Sequence, residues 1–276
     1  MTPRFRLPAL DHHYVSTGGL RLHYTELPSA GTPLILFHGI GMDWRVWQAL
    51  TRHLAPFFHL YAFDLRGHGD SDKPGHGYTV AHYAADIEDA IDQLGLTFSA
   101  VVGSSLGGMV AGALEVPLDL VTHRILLDPP LTGGPIKDEH MFRTILQLKH
   151  QPEESLAAFL APYNPHAGSF LMRTMAQMWK QAADGVIEDM LEQPRAYNAI
   201  EPALRINESE TLLVQADPAM GGVLTDREAQ EALRVLPRGH LAKMLGAGHA
   251  VHAYKPRELT QMIVDFVRPQ LLTSTR

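Results

Sequence analysis

A serine becomes a nucleophile when a sharp turn lifts its hydroxyl clear of the chain and a nearby base takes its proton. Gly103-Ser104-Ser105-Leu106-Gly107 has the spacing of such a turn, G-x-S-x-G, between an apolar run at 100–102 and a helical stretch at 106–115. Ser105 has glycine two residues to either side, whereas Ser104 has Val102 and Leu106 there. Ser105 is therefore the candidate nucleophile, since a strained, crowded turn needs small neighbours. A helix starting beside it aims backbone N–H groups at negative charge developing there. The chain has no cysteine, so a side-chain nucleophile is an oxygen, and disulfides, thiolate-bound zinc and iron–sulfur clusters are excluded. Sixteen histidines invite a metal, but they are scattered and no HExxH pair occurs. His12 and His13 sit in an expected strand, where adjacent side chains point to opposite faces. Neither a metal nor a cofactor is expected.

A second glycine-rich turn, His38-Gly39-Ile40-Gly41, ends the apolar run 33–37 and can expose N–H groups at the same sheet edge. Further on come Asp64-Leu65-Arg66-Gly67-His68-Gly69-Asp70-Ser71 and Gly246-Ala247-Gly248-His249, the latter followed by Lys255-Pro256-Arg257-Glu258. With the Ser105 turn these motifs, in this order, resemble the α/β-hydrolase fold family, and the resemblance covers most of the chain. It implies that His249 is the general base and that the N–H groups of Ile40 and Leu106 form the oxyanion hole. Asp64, Arg66 and His68 would brace loops through charge-assisted hydrogen bonds. His252, three residues beyond His249, lacks the preceding glycine, and His240 precedes the last strand at the opposite edge.

The acid has two candidates. The family's commonest arrangement puts it three residues beyond a small residue ending the 211–214 strand; counted from Ala216 that slot holds Ala219, and Asp217 lies two residues early. The alternative arrangement puts it after the strand following the nucleophile's helix, where Asp128 stands. Asp128 is slightly preferred, with Asp217 the alternative.

The elements that position these residues read as α/β. Apolar strands at 33–37, 60–63, 100–102, 125–127, 211–214 and 241–245 alternate with helical stretches at 44–54, 80–94, 106–115, 226–235 and 256–267. Strands 12–16 and 20–27 flank Gly18-Gly19, a hairpin signal. The expectation is a mostly parallel central sheet flanked by helices, formed by 1–130 and 206–276. Residues 131–205 lack an apolar strand and read as an inserted helical cap, with helices at 139–150 and 170–181. Its Met141, Met172, Met175, Met178, Met190, Phe142, Phe159, Tyr163, Phe170, Trp179 and Tyr197 build a small core, some of them facing a ligand.

Composition bounds the partners. The 276 residues carry 23 Lys+Arg against 30 Asp+Glu, a net charge of −7 with no basic stripe, which argues against nucleic acid and anionic lipid. No run has the length and apolarity of a signal peptide or membrane span, so a cytoplasmic protein is expected. The resemblance implies a serine hydrolase of a small-to-medium apolar carboxylic ester or lactone, acting through an acyl-enzyme. Family members that form alkyl-enzyme esters, the haloalkane dehalogenases and epoxide hydrolases, carry Asp where this chain has Ser105. One alternative is a C–C bond hydrolase of β-diketone-type ring-fission products. It would need cations for a substrate carboxylate, for which Arg143, Lys149, Arg173 and Arg195 are candidates. A non-catalytic small-molecule receptor on the same fold is an alternative of another class.

Overall fold

Short apolar runs punctuated by Gly, Pro and Asp become the strands. In the computed structural model, which describes residues 10–131, 138–163, 168–194 and 200–268, they are β1 (Asp11–Thr17), β2 (Leu20–Leu27), β3 (Thr32–Phe37), β4 (Phe58–Phe63), β5 (Ser99–Ser104), β6 (Val121–Leu127), β7 (Glu210–Ala216) and β8 (Gly239–Met244). They form one sheet in the order β1-β2-β4-β3-β5-β6-β7-β8. The hairpin places Thr17 opposite Leu20 across Gly18-Gly19. Strand β2 is antiparallel to β4, and every pair from β4 through β8 is parallel.

All six residues of β5 are buried, as a central parallel strand covered on both faces requires. Beneath one face pack α1 (Gln48–Leu54), α10 (Val251–Tyr254) and α11 (Pro256–Val267), through Leu50, Val251, Leu259 and Ile263 against Leu34, Leu36 and Val102. Beneath the other pack α2 (Val80–Gln93) and α3 (Leu106–Ala113), whose Ile87, Ile91, Met109 and Val110 meet Ile35, Phe37 and Val101. On α2 the buried Val80, Tyr83, Ala84, Ile87 and Ile91 form the expected stripe. Thr79 is its N-cap, but the hydroxyl bonds His82 Nδ1 at 2.7 Å and caps no backbone amide.

Between β6 and β7 the chain forms α4 (Glu139–Leu148), α5 (Glu153–Leu160), α6 (Ser169–Gln181), α7 (Gly185–Glu192) and α8 (Glu201–Ile206), with α9 (Asp226–Val235) following β7. The turn joining α6 to α7 is fastened to the segment after β4. Ala183 N donates to Gly67 O at 2.7 Å, Gln181 Nε2 to Gly69 O at 2.9 Å, and the Gly77 and Tyr78 amides to Asp189 Oδ2. These helices thereby sit over the edge where the parallel strands end. Helix α8 instead packs on α3, Leu204 and Ile200 closing over Gly112. The expected boundary at 205/206 falls inside that helix.

Other differences are local. The helix expected at 44–54 opens with a 3-10 turn, Trp44–Trp47. His240 lies within β8, with its ring 2.9 Å from Glu210 Oε2, and not before the strand. Among the described residues no helix is long and apolar enough to cross a membrane.

Candidate active site

Strand β5 stops at Ser104 and α3 starts at Leu106, so the chain reverses at Ser105 alone, with φ 55° and ψ −115°. A positive φ at a non-glycine residue costs free energy and persists only where the surroundings impose it. Here Ser105 N donates to Leu127 O at 3.0 Å, and Met109 N to Ser105 O at 3.1 Å. The elbow also admits no side chain at either flanking glycine. A Cβ on Gly103 would overlap the Gly107 carbonyl, and one on Gly107 would overlap the carbonyls of Phe37 and His38. That contact is a bond as well, Gly107 N donating to His38 O at 3.1 Å, which ties the nucleophile turn to the loop after β3.

Ser104 and Leu127 are register partners, so Ser105 and Asp128 leave neighbouring strands at the same level. Asp128 also has a positive φ, 45°, and is fully buried. Its Oδ2 lies 2.7 Å from His249 Nδ1 and accepts Val223 N at 2.8 Å, while Oδ1 accepts Ala216 N at 3.1 Å and Leu224 N at 3.2 Å. With the carboxylate accepting, the His249 proton sits on Nδ1 and Nε2 is left as a base. Asp217, the other candidate acid, is elsewhere. It accepts Ala219 N at 2.9 Å and Gly246 N at 2.8 Å, bonds that hold its carboxyl below the usual range, and its own N–H donates to Ala247 O. The chain after Asp217 turns back through Gly221, φ 89°, and brings backbone amides to Asp128 instead of a carboxylate to His249.

Among the described residues no hydrogen bond joins Ser105 Oγ to His249, whose side chain is 37% exposed; such bonds are often long before substrate binds. The Ile40 and Leu106 amides have no partner among the described residues, and Leu106 opens α3. His252 is buried against Trp47, ring centroids 4.9 Å apart, and burial together with the charge of His249 lowers its pKa to about 4. Its Nδ1 faces no acceptor or donor among the described residues.

Asp64 accepts Trp44 N at 2.8 Å and Asp70 N at 3.0 Å, and Arg66 pairs with Asp86. His68 departs from the expected charge-assisted brace: burial pushes its pKa down to about 3, so it bonds as a neutral ring. His23, Asp64 and Asp70 are grouped closely enough to suggest a metal. His23 Nδ1 and Asp64 Oδ2 are 2.7 Å apart, however, a hydrogen bond that satisfies both atoms without one.

The insertion packs apolar side chains against the loop after β3. Trp179 of α6 lies so close over Gly41 that a Cβ there would overlap the indole, and Phe142 of α4 meets Trp179 edge-on at 6.3 Å. Met172, Met178 and Met190 are buried, Met141, Met175 and Phe159 half-buried, and Tyr163 and Phe170 exposed. Of the cations, Arg143 pairs with Glu139, Lys149 with Asp184, and Arg173 is exposed. Arg195 and Tyr197 lie outside the described residues. In the sequence Trp179 stands as one apolar residue among many, because nothing local marks which of them packs against the Gly41 turn.

Residues 34–261 match the family described as "Alpha/beta hydrolase family". A soluble epoxide hydrolase of Corynebacterium sp. (strain C12) is 37% identical over 120 residues, covering 43% of this chain and 42% of that protein. The chain spans less than half the length of the first curated relatives it matches. A 2-(acetamidomethylene)succinate hydrolase of Mesorhizobium japonicum is 28% identical over 274 residues, 94% of this chain and 97% of that one. The crystal structure of an enol-lactonase of Burkholderia xenovorans LB400 superposes with a TM-score of 0.76 at 18% identity, over 92% of this chain and 99% of that one, a likeness of fold.

Proposed function

The chain belongs to the alpha/beta hydrolase family, and from that premise we propose that it is a serine hydrolase of small-to-medium apolar carboxylic esters or lactones. Ser105 Oγ attacks the carbonyl carbon while His249 Nε2 takes its proton. The Ile40 and Leu106 amides hold the oxyanion, and His249 then protonates the leaving alcohol. Water attacks the acyl-enzyme by the same route in reverse and frees Ser105. Asp128 keeps the His249 proton on Nδ1 and stabilises the imidazolium. Nothing in this cycle needs a metal or cofactor.

One observation carries the reading: His249 Nδ1 meets the buried Asp128 carboxylate at 2.7 Å, one strand away from a serine held in a strained elbow. Serine at that position argues against the chemistry named for the epoxide hydrolase relatives, since a hydroxyl attacking an epoxide would leave a stable ether where a carboxylate leaves a hydrolysable ester. In this reading residues 131–205 act as a cap, and Trp179 and Phe142 favour an uncharged, apolar acyl group.

The full-length likeness to a 2-(acetamidomethylene)succinate hydrolase favours a second reading, an acidic substrate opened by the same serine. That reading, like C–C bond hydrolysis, needs a cation at the site, and Arg143 and Lys149 already have carboxylate partners. The discriminating experiment is turnover of a p-nitrophenyl ester series. The wild type is expected to hydrolyse short acyl esters, and Ser105→Ala to lose about 10⁴–10⁶ in kcat if the residues act as a unit. Turnover confined to carboxylate-bearing substrates would replace the first reading with the second.

A further inference from the structure

An N–H group stabilises an oxyanion only if its peptide plane is already turned the right way, because reorienting it during reaction would cost what the bond returns. The peptide joining Gly39 to Ile40 is planar and trans, so Gly39 C=O and Ile40 N–H point in opposite directions. Gly39 O is held twice, His38 Nδ1 lying 2.8 Å from it and Met42 N 3.1 Å. Ile40 N–H is therefore fixed facing the other way, with no partner among the described residues, in a loop whose Gly39 backs onto Ser105. The next peptide plane is held too, Gly41 N donating to His68 Nε2 at 3.0 Å.

Both rings have only one tautomer that fits. Leu65 N donates to His38 Nε2 at 3.0 Å, and His68 Nδ1 lies 2.9 Å from Arg66 O. A backbone N–H only donates and a carbonyl only accepts, so in each ring Nδ1 carries the proton and Nε2 is bare. The two rings are fully buried and touch edge-on, centroids 4.8 Å apart. Burial lowers both pKa values, so neither ring carries the second proton that would set an N–H against an N–H.

We propose that His38 and His68 are positioning residues for the oxyanion hole, each a neutral Nδ1–H imidazole that locks one of two successive peptide planes of the loop presenting Ile40 N–H. The inference rests on the serine-hydrolase reading, and it assigns to two core histidines a share of transition-state stabilisation. A purely structural role would make their substitution a matter of stability alone.

The test exploits which nitrogen grips the loop. At position 38 the grip is Nδ1, which asparagine imitates and glutamine does not. At position 68 it is Nε2, which glutamine imitates and asparagine does not. Four variants, His38→Asn, His38→Gln, His68→Asn and His68→Gln, are assayed on a p-nitrophenyl ester and on its thiono counterpart, whose sulfur is a poor acceptor for the hole. His38→Gln and His68→Asn are expected to lose about 10²-fold in kcat, with KM changed by less than about threefold. The same two variants lose most of the wild-type preference for the oxo ester. His38→Asn and His68→Gln stay within about tenfold of wild type in kcat. The crossed order supports the proposal. The same order at both positions, losses equal on the two esters, or losses that follow the melting temperature overturn it. If one position does not tolerate substitution, the pair at the other decides by the oxo-to-thiono ratio. A folded wild type inert on both esters overturns the serine-hydrolase reading itself.

Discussion

Two aspartates separate cleanly at the level of their hydrogen bonds. Asp128 divides four donors between its two oxygens, one of them His249, whereas Asp217 spends its carboxylate on two backbone amides of adjoining loops. Asp128→Asn should let His249 settle in the wrong tautomer, and kcat is expected to fall about 10⁴-fold while KM stays close to wild type. Asp217→Asn should keep kcat within about tenfold, since it loosens a tether and leaves the imidazole alone. Steady-state kinetics of the pair check both, and the opposite ranking would return the acid's role to Asp217. Ser105 is marked by local spacing, with Gly103 and Gly107 on either side, and His249 by the resemblance of its Gly246-Ala247-Gly248-His249 loop to the family's. Neither signal separates the two candidate acids, since Asp128 and Asp217 differ only in the route of the chain around Gly221 and in which atoms that route brings to Asp128. The histidines of the oxyanion loop were visible as residues. Their work depends on which lone pair meets which amide, a tertiary fact.

The elements differ in how plainly sequence announces them. Helices α2 and α11 show long apolar stripes and match the expected spans closely. Helices α4 and α6 fall where helices at 139–150 and 170–181 are expected, whereas α5 and α7, with eight residues each, are too short for periodicity to stand out. Helix α9 carries a reciprocal capping box, Thr225 with Glu228, a start signal available in the sequence. Within the insertion, α6 is anchored at its C-terminal end and lays Trp179 on Gly41. Trp179→Ala should open space beside the oxyanion loop and raise kcat/KM for a hexanoyl ester relative to an acetyl ester by about tenfold. Competition between the two esters measures that ratio; an unchanged ratio would take the acyl-side wall away from Trp179.

Across the whole molecule, the burial that shapes the site also sets its response to acid. His38, His68 and His252 are buried neutral, with pKa values pushed below 6.5, to about 3 for His68 and about 4 for His252. As pH falls, the unfolded chain takes up these protons near 6.5 while the folded one does not, so stability is intact above 6.5 and drains away toward pH 4. With about 1.4 kcal/mol per unit of displacement, the loss is on the order of several kcal/mol across that window. Urea midpoints at pH 7.5, 6 and 5 are expected to fall stepwise, and the decline should be shallower in His252→Phe. A midpoint flat from 7.5 to 5 would mean that the histidines are protonated or solvated in the fold. The proposed function requires an activated serine at position 105 of the folded chain. Intact-mass analysis after exposure to a fluorophosphonate reads it directly. One phosphonyl adduct per chain is expected, mapped to the peptide containing Ser105 and absent from Ser105→Ala and His249→Ala. A folded wild type that gains no mass, or gains it at another residue, would contradict it.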